Sequence, residues 1–183
     1  MSHLPMNVVL IGYRGTGKST VARQLALELG WDWVDADVEV ELRAAKSIAA
    51  IFAEEGEGRF RDLESEVLAE LVARARVVIA AGGGVVLREA NRRQLAKCGQ
   101  VVWLRASPPA IVERIAACTT TASRRPNLTT SGGEAEVVRL LAERTPLYRQ
   151  CANLEIDTED KSPAVIAGEI IRQLHFPLSK ELA

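Results

Sequence analysis

Several features that mark specialised protein classes are scarce or missing in this chain of 183 residues. Its three cysteines, Cys98, Cys118 and Cys151, are widely spaced and form neither a zinc-binding pattern nor a disulfide framework. The formal net charge is only −1, so no overall electrostatic attraction draws the protein to nucleic acid or to a membrane surface. No apolar run is long enough to cross a membrane, and no basic segment precedes the first apolar run as in a signal peptide. We therefore expect a cytoplasmic protein that binds neither nucleic acid nor membranes.

The composition is that of one globular domain, which we expect to span residues 1–183, since 48% of the residues are hydrophobic and 26% are charged. The short apolar runs predicted as strands are 8–11, 33–35, 77–81, 101–104 and 154–157. The segments predicted as helices are 18–29, 38–54, 60–75, 88–97, 108–117, 134–151 and 163–174. This alternation predicts an α/β fold with a parallel sheet and helices on both faces, in which ligands bind beyond the carboxyl ends of the strands.

The most informative segment is a glycine-rich loop between the first predicted strand and the first predicted helix. Residues 12–19 read Gly-Tyr-Arg-Gly-Thr-Gly-Lys-Ser and match the phosphate-binding loop pattern G-x-x-x-x-G-K-[ST]. Glycines let backbone N–H groups approach a phosphate closely, and the helix that follows adds a partial positive charge at its amino end. In this pattern Lys18 reaches the β- and γ-phosphates and the Ser19 hydroxyl ligates Mg²⁺. The chain is therefore predicted to bind a nucleoside triphosphate.

Two carboxylates and three glycines follow the next two strands at the same predicted edge of the sheet. Asp35 and Asp37 stand at the end of the second strand, on alternate positions of a segment predicted to be extended. One of these carboxylates is expected to face Mg²⁺ and the other a second ligand. Gly82, Gly83 and Gly84 follow the third strand. Three consecutive glycines are costly in backbone entropy, which indicates that some group approaches the main chain closely.

Three arginines are candidates to bind an anion. Arg61 is predicted at the start of a helix, where a cation requires a compensating anion. That anion is either a neighbouring carboxylate, Glu64 foremost, or a bound ligand, and both alternatives are open. Arg125 lies in the polar segment 118–133, whose length is typical of an active-site lid. Arg144 lies on the helix predicted after that segment.

Together these segments resemble the shikimate kinase family, and the resemblance covers nearly the whole chain. The segments that carry it, in the family's order, are 12–20, 35–37, 58–64, 82–84, 125–126 and 144–148. The lid departs from the family's common Arg-Pro-Leu-Leu, because Arg125 is followed by Pro-Asn-Leu and preceded by a Thr-rich stretch. The resemblance implies a three-layer, nucleoside-monophosphate-kinase-like fold with a five-stranded parallel sheet and a mobile lid. It also implies a monomer.

The resemblance implies a reaction as well: Mg²⁺-dependent transfer of the γ-phosphoryl group of ATP to the 3-hydroxyl of shikimate, a step toward chorismate and the aromatic amino acids. In that reaction Asp37 would hold the shikimate hydroxyls and assist proton removal. Arg61 and Arg144 would bind the shikimate carboxylate, with help from the backbone of 82–84. Lys18 and Arg125 would stabilise the transferring phosphoryl group.

The remaining implied roles concern the metal and the nucleotide. Asp35 and Ser19 would hold Mg²⁺, directly or through water. The nucleotide would be bound by Gly12, Gly15, Thr16, Gly17, Lys18, Ser19, Thr20, Arg125, Lys161 and Pro163. Arg114, together with the segment around Lys161 and Pro163, would lie against adenine.

Two other functions are weighed against this one. A different small-molecule kinase would share the phosphate-binding loop, and gluconate is a carboxylated polyol like shikimate. A nucleoside monophosphate as acceptor would call for a base-reading pocket, for which the sequence offers no clear candidate. An ATP-binding module without turnover is disfavoured because Lys18, Ser19 and Asp37 are all present.

Overall fold

The computed structural model describes residues 6–117 and 134–174. Its strands form one sheet in the order β2-β3-β1-β4-β5, and all four pairings are parallel. The strands are β1 Val8–Ile11, β2 Asp32–Asp35, β3 Val77–Ala80, β4 Gln100–Arg105 and β5 Leu154–Asp157. The sequence predictions of the strands are therefore confirmed to within one residue at each end. Because the strands are parallel, their carboxyl ends lie along one edge of the sheet.

Helices cover both faces of this sheet. They are α1 Lys18–Leu29, α2 Ala36–Ala44, α3 Ile48–Glu54, α4 Gly56–Val72, α5 Glu89–Leu95, α6 Pro108–Ala117, α7 Glu134–Cys151 and α8 Pro163–Leu174. Alternate residues of β1 enter two separate cores, since side chains on a strand alternate between faces. Val8 and Leu10 pack with α1 and α8, whereas Val9 and Ile11 pack with α2, α3 and α4. The predicted three-layer α/β fold is confirmed.

The prediction of one helix over 38–54 is wrong, because two helices occupy this segment. Ala45 has a left-handed backbone (φ 51°) and ends α2. Ser47 then begins α3 by accepting a hydrogen bond from the backbone N–H of Ala50. The carboxylate of Glu41 accepts another from the N–H of Ile48, at 3.0 Å. These bonds provide partners for backbone N–H groups in the first turn of α3, which have no partner within the helix.

The prediction that Arg61 lies at a helix start is also wrong. Helix α4 begins at Gly56, four residues before the predicted start, and ends at Val72. Arg61 therefore lies in the second turn, where the helix dipole acts only weakly. Its partner carboxylates are Glu57, one turn before it, and Glu64, one turn after it. The pair with Glu64 is one of the two alternatives that the sequence leaves open. The predicted helix over 88–97 is likewise shorter, at Glu89–Leu95.

Over the residues that the structure describes, none of the helices is both long enough and apolar enough to span a bilayer.

Candidate nucleotide and acceptor site

The phosphate-binding loop joins β1 to α1 at the carboxyl edge of the sheet. Gly12 has φ +140°, and a Cβ added there would lie only 2.2 Å from the carbonyl oxygen of Leu104. The loop can therefore pass this close to β4 only with glycine at position 12. Gly17 precedes the first turn of α1 with φ 86°, so it too requires a conformation that favours glycine. The predicted strand–loop–helix context of the motif is confirmed.

Lys18 is held by the loop itself. Its ammonium group donates hydrogen bonds to the carbonyl oxygens of Gly12, at 2.9 Å, and Tyr13, at 2.8 Å. Thr16 donates from its hydroxyl to the same carbonyl of Tyr13, at 2.8 Å. Gly15 lies under α6, because a Cβ there would come within 3.1 Å of Ile115 Cγ1. The loop is thus held by hydrogen bonds within itself and by close packing against α6.

Ser19 and Asp35 bring oxygen atoms together from α1 and β2. The Ser19 hydroxyl donates to Asp35 Oδ2 at 2.5 Å. Hydroxyl and carboxylate oxygens are the ligands that Mg²⁺ prefers, and Mg²⁺ commonly keeps several waters while using one or two protein groups. In the described parts of the chain there is no group of three or more His, Cys, Asp or Glu suited to a metal ion. The oxygen atoms of Ser19 and Asp35 are of the chemical type that fits Mg²⁺.

The prediction that Asp35 and Asp37 alternate on an extended segment is wrong. Asp35 ends β2, and its Oδ1 accepts a hydrogen bond from the backbone N–H of Asp37, at 3.0 Å. This contact caps α2, so Asp37 lies in the first helical turn. Asp37 is therefore positioned by the amino end of α2 and not by a strand.

The Arg61 guanidinium lies against Gly84, in the space that a side chain at that position would occupy. Its Nη1 donates to Glu64 Oε2 at 2.8 Å, and its Nη2 and Nε donate to Glu57 Oε1 at 3.0 and 3.2 Å. A Cβ added at Gly84 would lie 2.1 Å from Nη1 and 2.6 Å from Cζ. Some group does approach this turn closely, as the sequence predicts, and that group is the Arg61 guanidinium. The ion pair with Glu64 exists. Each terminal nitrogen carries two N–H groups and donates one of them to a carboxylate among the described residues.

Arg61 stays cationic although only 8% of it is exposed. Burial alone would lower its pKa, but the carboxylates of Glu64 and Glu57 hold the pKa above the ordinary arginine value.

Arg144 approaches the same turn from α7. Its Nη1 donates to the carbonyl oxygen of Gly83 at 3.3 Å, and its guanidinium lies 5.7 Å from the centre of the Tyr13 ring. Only 7% of Arg144 is exposed. Two buried arginines from different helices, Arg61 at Gly84 and Arg144 at Gly83, thus converge on one glycine turn beside the phosphate-binding loop. Such a pair suits a carboxylate, because guanidinium groups bind carboxylates with two parallel hydrogen bonds.

A third arginine at this site is missed by the sequence analysis. The backbone nitrogen of Arg14 lies 3.4 Å from the position that a Cβ on Gly83 would take. The Nε atom of Arg14 is buried and has no hydrogen-bond partner among residues 6–117 and 134–174. The loop pattern accepts any residue at this position. The only sequence signal for Arg14 was therefore the presence of an arginine inside a phosphate-binding loop.

The segment after β5 meets α6 through Arg114. Its Nη1 donates to the Thr158 hydroxyl and its Nη2 to the Thr158 carbonyl, both at 2.8 Å. Lys161 pairs with Glu169 at 2.9 Å, and Pro163 begins α8. Arg114 and the 158–163 segment are therefore brought together, with Lys161 held toward α8. Arg125, Cys118 and the predicted lid 118–133 lie outside the described residues.

The two described cysteines do not form part of this site. Cys98 is buried and Cys151 half-buried, and both are free thiols. Burial raises the pKa of Cys98 to about 11, and it raises the pKa of Cys151 as well. Both thiols are therefore expected to stay protonated near neutral pH.

Comparison with known proteins identifies one family. The family model described as shikimate kinase matches residues 14–175. A curated shikimate kinase of Rhodopirellula baltica is 47% identical over 168 residues, which cover 92% of this chain and 90% of that protein. One from Pseudomonas putida is 44% identical over 168 residues, covering 92% and 95%. The solved structure of the Acinetobacter baumannii shikimate kinase in complex with shikimate superimposes with a TM-score of 0.87 at 36% identity, covering 94% of each chain.

Proposed function

The chain belongs to the shikimate kinase family, and we propose that it transfers the γ-phosphoryl group of ATP to the 3-hydroxyl of shikimate, giving shikimate 3-phosphate and ADP. The observation that carries this proposal is the convergence of Arg61 and Arg144 on the triple glycine beside the phosphate-binding loop. A buried pair of arginines next to a nucleotide loop suits a small anionic acceptor. Shikimate is a carboxylated polyol, so its carboxylate fits the arginines and its hydroxyls fit the carboxylate of Asp37.

Each residue of the site then has a distinct role. The arginines bind the shikimate carboxylate and fix the orientation of the ring. Asp37 holds the ring hydroxyls and accepts the proton of the attacking 3-hydroxyl. Lys18 and the loop N–H groups hold the phosphates, with Arg125 adding a second cation from the lid. Phosphoryl transfer depends on such positioning and charge neutralisation more than on covalent chemistry.

Mg²⁺ would be held by Ser19 and Asp35, and when bound it would neutralise charge on the phosphates. We expect Ser19→Ala to raise the Mg²⁺ concentration for half-maximal activity roughly tenfold, because one of two metal-facing oxygens is lost. A Mg²⁺ titration of the steady-state rate measures this. ADP binding without Mg²⁺ is the control and is expected to be unchanged. A Mg²⁺ dependence equal to that of the wild type would contradict the metal assignment.

The direct test of the function is ADP release with ATP, Mg²⁺ and shikimate, with the product identified by phosphorus NMR. Gluconate and nucleoside monophosphates serve as alternative acceptors in the same assay. We expect turnover with shikimate that clearly exceeds the rate without an acceptor. Turnover with gluconate but not with shikimate would favour the other small-molecule kinase, and nucleotide binding without any turnover would favour a binding module.

The proposal also covers the setting of the reaction. We propose that residues 1–183 form one domain that acts in the cytoplasm as a monomer, on a small molecule and not on nucleic acid or membranes. Segment 118–133 is proposed as the lid that delivers Arg125 and excludes water, which limits wasteful ATP hydrolysis.

A further inference from the structure

A buried tyrosine on α7 contacts the triple glycine at Gly83, the residue before the one that Arg61 contacts. Tyr148 has no exposed surface, and its hydroxyl donates to the carbonyl oxygen of Gly83 at 2.5 Å. Its ring stacks on Trp103 with 5.7 Å between ring centres. The stacking fixes the ring, so the hydroxyl is held at one place in the core.

The Gly83 carbonyl therefore has two donors, both from α7. Arg144 donates to it at 3.3 Å, one helical turn before Tyr148. The hydroxyl of Tyr13, the other tyrosine beside Arg144, is buried without a hydrogen-bond partner within the described ranges. A tyrosine hydroxyl that is buried near Arg144 therefore does not always find a hydrogen-bond partner among the described residues, as Tyr13 shows. The hydrogen bond from Tyr148 to Gly83 is a specific feature of this turn.

Fixing this carbonyl fixes the next N–H as well. The peptide unit between Gly83 and Gly84 is planar and trans, so its N–H points away from its C=O; the structure contains no cis peptide bond within 6–117 and 134–174. With the carbonyl directed at α7, the Gly84 N–H is directed away from α7. The Arg61 guanidinium lies against the same residue, because a Cβ added at Gly84 would be 2.1 Å from its Nη1. Among the described residues, this N–H donates no backbone hydrogen bond.

We propose that Tyr148 is a positioning residue for acceptor binding: its hydroxyl orients the Gly83–Gly84 peptide so that the Gly84 N–H binds the acceptor's carboxylate beside Arg61. This inference rests on the function proposed above. Burial raises the pKa of Tyr148 to about 12, against an opposing effect of Arg144, so the hydroxyl remains a donor over the working pH range. Tyr148 itself does not touch the acceptor.

Tyr148→Phe tests this role, since it removes the hydroxyl and keeps the ring. We expect the KM for shikimate to rise roughly tenfold, because the peptide then keeps only the longer bond from Arg144. The KM for ATP is expected within about twofold of the wild type and kcat within about threefold, as for a loss confined to acceptor binding. Calorimetric titration with shikimate alone should show the same loss of affinity.

A matched control separates positioning from stability. Asn7, also fully buried, makes hydrogen bonds to the carbonyls of Val72 and Arg74 and to the N–H of Gly99, at the amino end of the sheet. Asn7→Ala should lower the melting temperature at least as much as Tyr148→Phe, yet leave the KM for shikimate unchanged. If Tyr148→Phe also lowers only the melting temperature, the positioning role is overturned.

A second measurement uses the wild type and does not depend on how the variant folds. Addition of shikimate is expected to shift the Gly84 amide proton in NMR spectra and to slow its exchange with solvent. An unchanged Gly84 signal at saturating shikimate would overturn the inference. If the wild type turns over shikimate while the Tyr148→Phe KM stays normal, only this inference fails. A wild type that does not turn over shikimate overturns the proposed function and this inference with it.

Discussion

Gly84→Ala is expected to remove most of the affinity for shikimate in a protein that still folds. The new Cβ would lie 2.1 Å from Nη1 of Arg61 and 2.6 Å from its Cζ, so the guanidinium has to move out of its place. The clash falls on the end of a flexible side chain and not on backbone, and the fold can therefore absorb it. Loss of a buried charge partner for the shikimate carboxylate costs about 2–5 kcal/mol, which is roughly a 30- to several-thousand-fold rise in KM. Steady-state kinetics with varied shikimate measures this.

Gly168→Ala is the matched control for Gly84→Ala. Gly168 lies inside α8, and nothing lies within 4 Å of a Cβ added there. Alanine in a helix interior is favoured over glycine, so stability should rise by about 0.5–1 kcal/mol with the KM for shikimate unchanged. A wild-type KM in Gly84→Ala would mean that Arg61 does not bind the acceptor from its place at the glycine turn.

Arg61→Ala should have an effect of the same size, again about 2–5 kcal/mol of shikimate binding. The removal also leaves the buried carboxylate of Glu64 without this cation, so the variant is expected to be less stable. Arg61→Lys keeps the charge and loses the fork that binds a carboxylate with two hydrogen bonds. Both variants should therefore raise the KM for shikimate, with the larger rise in Arg61→Ala.

The methyl ester of shikimate isolates the carboxylate in this experiment. The wild type should bind the ester much more weakly than the acid, whereas Arg61→Ala should bind the two about equally. Arg43→Ala serves as the control, since Arg43 pairs with Glu66 and Glu70 on the surface between α2 and α4. It is expected to leave both affinities unchanged. A large preference of Arg61→Ala for the acid would contradict the assignment of Arg61.

The elements that the sequence predicts well are those set by local patterns. Apolar runs flanked by polar residues locate the strands to within one residue, and the loop motif locates the nucleotide end of the site. The errors arise where the residue type gives no indication of the local backbone conformation. Alanine gives no sign of the left-handed turn at Ala45 that separates α2 from α3. Gly56 and Gly58 disfavour a helix on propensity, yet α4 begins at Gly56.

The site is predicted less completely, because its contacts join distant parts of the chain. The triple glycine correctly indicates a close approach, but only the structure shows that the approaching group is Arg61. The bond from Tyr148 to Gly83 spans 65 residues, and no periodicity or spacing encodes such a contact. The pair of Ser19 and Asp35, in contrast, follows from the rule that strand ends meet at one edge.

A crystal structure with ADP and shikimate bound tests the central claim most directly. We predict that the shikimate carboxylate lies within hydrogen-bond distance of Arg61 and Arg144 at the glycine turn, with the 3-hydroxyl beside Asp37 and facing the nucleotide. A shikimate molecule bound elsewhere, with neither arginine contacting its carboxylate, would contradict the account.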